Sequence, residues 1–202
     1  MSLVYFDNNV VMINGGMIKS VIARAVDPPY NVIGGREYRT VIMPDGKEWL
    51  AENLDYGSDG VYYKNDEQTY GWHGLKYGKL YNWNEAVAAG NAISGWHLPT
   101  AEEWNALATA VGGADVAGTK LKASTGWTSG NGTDDYGFSA FPAGDMNSDA
   151  FNDLGSNAYF WTATENSSYV AYYRGFATGA SVLSDYYNKI YGAFSVRLVR
   201  DL

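Results

Sequence analysis

From Gly113 to the C-terminus the chain offers only short apolar runs, Phe138–Phe141, Tyr159–Thr162, Tyr172–Phe176 and Phe194–Val199, set between clusters of Gly, Asn, Ser and Asp. Runs of that length suit strands and are too short for a helix that must bury one face. Phe194, Val196 and Leu198 alternate with Ser195, Arg197 and Val199, which predicts a strand near the C-terminus.

Helical signal is confined to two places upstream. Thr100 and Glu103 have capping-box spacing, Trp104, Leu107, Ala108 and Val111 form one apolar stripe, and Gly112-Gly113 ends it. Leu80, Trp83, Ala86 and Val87 mark an earlier helix closed by Gly90. Before them, Tyr38–Met43 and Lys47–Leu50 flank the turn Pro44-Asp45-Gly46. Strands, two helices, then Gly-rich loops and late strands predict an α+β domain with small antiparallel sheets.

Residues 1–35 read as a small N-terminal β unit. Val10–Ile13 and Met17–Ile22 surround Asn14-Gly15-Gly16, a hairpin signal, and Asp27-Pro28-Pro29-Tyr30 breaks the pattern. Two readings stand: an appendage for attachment or homo-oligomerisation, or an edge strand for the main sheet. The main ligand-binding domain is expected over residues 36–202.

Composition excludes several functions. A net charge of −8 argues against a nucleic-acid partner and disfavours an anionic membrane surface. No apolar run approaches the ~20 residues of a bilayer span, so membrane insertion is not expected. The chain has no cysteine, which removes disulfides, thiolate metal sites and cysteine catalysis. Residues 1–20 do not have the pattern of a secretory signal, so synthesis and folding are expected in a reducing cytoplasm.

Catalytic and metal motifs fail one by one. His73 and His97 have no second ligand or base at a useful spacing, and His97 is expected to pack or cap. Asp145, Asn147 and Asp149 resemble the start of a calcium loop, yet Ala150 stands where glycine is needed and Ser156 where the bidentate glutamate belongs. Gly112-Gly113 and Gly118 read as caps and turns rather than a phosphate cradle. Of seven tryptophans, Trp49, Trp83, Trp96, Trp104, Trp127 and Trp161 are assigned to the core, and Trp72 stays open. No catalytic residue, metal site or cofactor is predicted.

Residues 165–191 mix Tyr169, Tyr172, Tyr173, Tyr186, Tyr187 and Tyr191 with Ser, Gly, Ala, Asn and Asp. Antibody paratopes have this composition, because tyrosine supplies rigid amphipathic area and small polar residues supply adaptable hydrogen bonds. Adjacent tyrosines in a strand point to opposite faces, so one of Tyr172 and Tyr173 is expected to face outward.

Seven ordered motifs carry a family resemblance: Asp45–Leu54 (DGKEWLAENL), Tyr77–Trp83 (YGKLYNW), Gly95–Thr100 (GWHLPT) with Glu103-Trp104, Gly118–Lys122 (GTKLK), Gly137–Gly144 (GFSAFPAG), Tyr159–Glu165 (YFWTATE) and Phe194–Arg197 (FSVR). Over residues 36–202 the chain resembles the Fibrobacter succinogenes major paralogous domain, a family similar to C-type-lectin-like and formylglycine-generating-enzyme-like folds. The resemblance implies a C-type-lectin-like fold. It does not bring formylglycine-generating activity, which needs cysteines, or calcium-dependent sugar binding, whose Glu-Pro-Asn or Gln-Pro-Asp loop and Trp-Asn-Asp strand are missing.

Members of this family also serve as variable proteins of diversity-generating retroelements, where an error-prone reverse transcriptase rewrites a C-terminal region. On that likeness Ser168, Tyr169, Tyr173, Gly175, Ala177, Thr178, Ser181, Ser184, Asp185, Tyr186, Tyr187, Ile190 and Tyr191 are the expected contacts. Ala171, Arg174, Phe176, Val182, Lys189 and Phe194–Arg197 are the expected fixed scaffold. The implied function is a phage or prophage tail-tip protein, displayed on the particle, that binds a protein or glycan receptor on a target cell. A fixed bacterial surface adhesin and an enzyme with an unrecognised site are the alternatives.

Overall fold

The computed structural model of the chain describes residues 30–62 and 77–202, and within residues 1–29 two short strands. These are β1 (Leu3–Phe6) and β2 (Val10–Ile13), antiparallel with Leu3 opposite Ile13. Val10–Ile13 is thus a strand, but its partner is Leu3–Phe6. Met17–Ile22 and the Asn14-Gly15-Gly16 turn lie outside the described residues.

The main sheet is antiparallel in the order β12 (Val199–Asp201), β5 (Lys47–Leu50), β4 (Arg36–Ile42), β3 (Tyr30–Ile33). Gly34 and Gly35 join β3 to β4 with φ of 59° and 82°. A two-residue turn with both φ positive matches the twist of a hairpin and favours glycine. Residues 30–33 therefore pair with the main sheet, so the boundary expected at residue 35 falls just beyond this hairpin's turn.

Helix α1 (Trp83–Ala92) starts at a capping box that the sequence reading missed: Asn82 Oδ1 accepts from Glu85 N–H, and Glu85 accepts from Asn82 N–H. It runs through Gly90 rather than ending there. A Cβ at Gly90 would lie 2.9 Å from the Leu98 nitrogen, so the glycine is a point of close approach. Leu80 sits outside the helix, bridged to Val61. Helix α2 (Ala101–Ala110) follows the expected Thr100–Glu103 capping box.

A third helix, α3 (Ala114–Leu121), corrects the expectation of two. Its glycine is the reason it was hidden. A Cβ on Gly118 would strike the Ala180 carbonyl, so a residue that reads as a turn is a contact between α3 and the 177–181 loop.

Two further small sheets complete an α+β fold: β6 (Asp145–Asn147), β7 (Ala150–Asn152) and β11 (Gly192–Ala193), and β8 (Ala158–Glu165), β9 (Val170–Phe176) and β10 (Val182–Asn188). The predicted strands at 138–141 and 194–199 are largely replaced by isolated bridges, with regular pairing only from Val199. Every side chain from Phe194 to Val199 is buried, so the segment threads the interior instead of alternating across a surface. Its backbone is satisfied laterally, Val196 O accepting from Leu54 N–H and Leu198 O from Leu50 N–H.

Two aromatic clusters form the core. Trp49, Trp104, Trp127, Phe138, Phe160 and Phe176 fill one, while Trp83, Trp96, Trp161, Tyr38, Tyr81 and Phe194 anchor the other. The six tryptophans assigned to the core are all buried. Trp72 and His73 lie outside the described residues. Among the described residues no helix is long and apolar enough to cross a membrane.

Candidate ligand-binding site

The β8–β9–β10 sheet sorts its side chains by register, since directly opposed residues share a face. Phe160, Arg174 and Ser184 fall on one face, and Trp161, Tyr173 and Asp185 on the other. On the first face Phe160 and Phe176 lie 5.6 and 6.3 Å from Trp104. Buried Arg174 donates to Ala101 O and Asn105 Oδ1 of α2, both at 2.9 Å. Further along, Tyr172 meets its register partner Tyr186 edge-on at 6.2 Å, and its hydroxyl donates to Asn166 Oδ1.

On the second face Phe194 is a hub. Trp161, Tyr173, Tyr159 and Tyr187 surround it at 4.3, 5.1, 5.3 and 5.6 Å between ring centres. The three tyrosines are only half-buried. With Phe194 they line one side of a groove of about 400 Å³, and Asp145, Asn147, Asn152 and Asp153 line it as well.

The acidic side is built by the β6–β7 hairpin. Ser148 and Asp149 have φ of 47° and 66°, so the Asp145-x-Asn147-x-Asp149 spacing that fails as a calcium loop is a strand entering a two-residue turn. Strand alternation sends Met146 and its partner Phe151 toward Leu80 and Ala143, and leaves Asp145 and its partner Asn152 to the groove.

Burial and the charge of Asp153 push the Asp145 carboxyl up to about 6, against a hydrogen bond from Asn152. Tyr159 donates to Asp153 Oδ2 at 2.8 Å, and Asn157 Nδ2 donates to both Asp153 Oδ2 and the Tyr159 oxygen. Burial and Asp153 raise the Tyr159 phenol, while burial, Asp185 and Asp145 raise that of Tyr173. Both rings stay neutral at ordinary pH.

The thirteen expected contacts do not form one patch. Ser168, Tyr169, Ile190 and Tyr191 come together on two adjacent turns, because Lys189 N–H donates to Tyr169 O and its ammonium pairs with Glu165 at 2.9 Å. The Lys189 ammonium is held 4.3 Å over the Trp83 ring, and the side chain is buried. Ser184, Asp185 and Tyr186 are exposed on β10, while Tyr173 and Tyr187 line the groove. Gly175 is buried between Tyr159 and Leu183. Ala177, Thr178 and Ser181 lie at the far end of β9, ~20 Å along the strand. There the Lys122 ammonium donates to the carbonyls of Ala177, Gly179 and Gly130. The expected scaffold residues Ala171, Arg174, Phe176, Lys189 and Phe194–Arg197 are buried, and Val182 is half-buried.

A family model described as the Fibrobacter succinogenes major domain matches residues 38–200. The chain belongs to that family. No curated protein and no solved structure matches it.

Within this Fibrobacter succinogenes major domain, sequence reasoning missed the acidic side of the groove, Asp145, Asn147, Asn152 and Asp153, and also Tyr159. A signal was present: Asp145 and Asn147 alternate with Met146 ahead of a Ser-Asp pair, the pattern of a hairpin with one polar face. Among the described residues no three His, Cys, Asp or Glu side chains converge to hold a metal. His97 Nε2 donates to Glu103 Oε1 at 2.8 Å, beside the α2 cap.

Proposed function

We propose that this major domain is a receptor-binding module whose contact surface is the turn pair 166–169 and 188–191 with the adjoining tyrosines of the β8–β10 sheet. One observation carries the reading: burial along residues 165–191 separates a fixed frame from free side chains. Tyr169, Ile190, Tyr191 and Tyr186 are 75%, 69%, 62% and 52% exposed, while Ala171, Arg174, Phe176 and Lys189 between them are buried. Large exposed apolar side chains clustered on one end of a domain mark interaction surfaces. Anchoring the turns through Lys189 leaves their side chains replaceable without loss of packing.

The same separation supports the finer reading. The domain is a C-type-lectin-like scaffold, diversified by a retroelement, on a phage or prophage tail tip. It associates with a protein or glycan receptor on a target cell, without catalysis, cofactor or nucleic acid. Tyrosine anchors ringed by Ser and Asp are the expected hot spots.

Sequencing the gene across its source population tests this reading. Substitutions concentrated at exposed positions such as Tyr169, Asp185, Tyr186, Ile190 and Tyr191, with Arg174, Phe176 and Lys189 unchanged, are the expected outcome. A near-copy of the segment beside a reverse transcriptase gene would accompany them. A uniform segment with no such copy would remove diversification and leave a fixed adhesin.

A further inference from the structure

Resting on that receptor-binding reading, we propose that the groove between the tyrosine face of β8–β10 and the β6–β7 hairpin receives a basic side chain, lysine or arginine, presented by a protein receptor. Three half-buried phenol rings, Tyr159, Tyr173 and Tyr187, line it together with the carboxylates Asp145 and Asp153, the latter bonded to the Tyr159 hydroxyl. Asp185 sits opposite Tyr173 in register and adds a third acid at the rim. Among the described residues the lining holds no lysine, arginine or histidine.

Neither groove carboxylate has a basic partner among the described residues. Asp153 is held by Tyr159 and Asn157, and Asp145 by Asn152. Asp145 is therefore half-buried beside the exposed Asp153, with only neutral donors to offset its charge, a costly arrangement in a free protein. A ligand cation relieves it. It gains attraction to ring faces at the same time, as in aromatic cages for ammonium groups.

A neutral sugar fits the groove less well. Stacking of a pyranose needs a flat, open ring, whereas Tyr159 and Tyr173 meet at 81° and wrap round Phe194. The cavity of about 400 Å³ has room for the end of an arginine or lysine with its retained water.

The test is a titration of the isolated chain, followed by NMR of the tyrosine ring signals. The probes are acetyl-Gly-Arg-Gly-amide, its lysine and glutamate counterparts, and maltotriose. Saturable shifts of the Tyr159, Tyr173 and Tyr187 signals with the two basic peptides alone, at ~mM concentration, are expected. Asp145→Asn should weaken the arginine peptide about tenfold while the chain stays folded. Asp153→Asn, which disturbs the Tyr159 bond, is a second variant in which the same loss should be seen. Equal shifts with all four probes, shifts with maltotriose alone, or affinity unchanged in Asp145→Asn would overturn the assignment. Failure of the receptor-binding reading has a different signature, because it is read from target-cell adsorption by Tyr169→Ala and Tyr191→Ala variants, which leave the groove intact.

Discussion

Tyr186 and Tyr187 are consecutive in β10 and serve opposite faces: Tyr186 meets Tyr172 at 6.2 Å on one side, and Tyr187 meets Phe194 at 5.6 Å on the other. Tyr186 is more than half exposed, whereas Tyr187 packs against the core. Tyr187→Ala should therefore destabilise the fold by about 2 kcal/mol, less than full truncation of a buried ring. Tyr186→Ala and Tyr191→Ala should each stay within about 0.5 kcal/mol. Urea unfolding of the three variants decides it. Equal losses would contradict the facial separation, and they would also mean that replacing these tyrosines as a set cannot isolate binding from stability.

Arg197 carries a second prediction. Its guanidinium is fully buried and donates to Asn53 Oδ1, Leu50 O, Phe138 O and Ser139 O at 2.6–3.0 Å. Burial, together with the neighbouring Arg39, pulls its pKa down, and the charges of Glu52 and Asp134 oppose that. Arg197→Ala leaves these acceptors unpaired in the interior and should cost about 3–5 kcal/mol. Arg197→Lys should recover little of it, because an ammonium cannot span four acceptors in fork geometry. Calorimetry showing a lysine variant as stable as the parent would refute the cage.

How far the sequence could be read follows from which residues act locally. The α2 helix was legible because Thr100, Glu103 and the Trp104–Val111 stripe lie within one short window. The α1 start was less so, since Asn82 caps it from inside an aromatic run. α3 was not legible, because Gly113 offers no capping side chain and the benefit of Gly118 lies in a carbonyl 62 positions later (180 minus 118). The frame of residues 165–191 was expected from the family likeness, and its residues Ala171, Arg174, Phe176 and Lys189 are buried. Its partition between two ends of a hairpin was not legible, and neither was the acidic hairpin brought up from Asp145 by β11 pairing with β6.

The contact at Gly118 makes a third prediction. Thr119 N–H donates to Ala180 O, and the Gly118 Cα faces the same carbonyl. Gly118→Ala should push the 177–181 loop off α3 and lower stability by about 1–3 kcal/mol, although alanine favours helix. Hydrogen exchange should then quicken at Thr119 and leave Lys189 unaffected. A variant more stable than the parent would mean that the loop yields freely.

Asp145 gives the last prediction, in which stability and binding pull in opposite directions. Its carboxyl is held at about 6 in the fold, against a usual value of 3.8. The folded chain therefore keeps a proton that the unfolded chain has lost between about pH 4 and pH 6. The contribution to stability is fully present below that window and is lost as pH rises through it. Half-exposure and solvent screening limit the loss to about 1 kcal/mol. Asp145→Asn should accordingly match the parent near pH 4 and exceed it by about that amount at pH 7 in urea unfolding. Over the same range a bound cation favours the carboxylate, so the parent's affinity for a basic peptide should rise with pH and that of Asp145→Asn should stay flat. The groups bearing on this carboxyl are Asp153, Asn152, Tyr159 and Tyr173, so Asp153→Asn should move the midpoint downward. If the substitution leaves stability unchanged at both pH values, the carboxyl is not strained by its surroundings. If it stabilises the chain and abolishes the pH-dependent affinity together, the strain is relieved only by a ligand, as expected of a residue retained for binding rather than for folding.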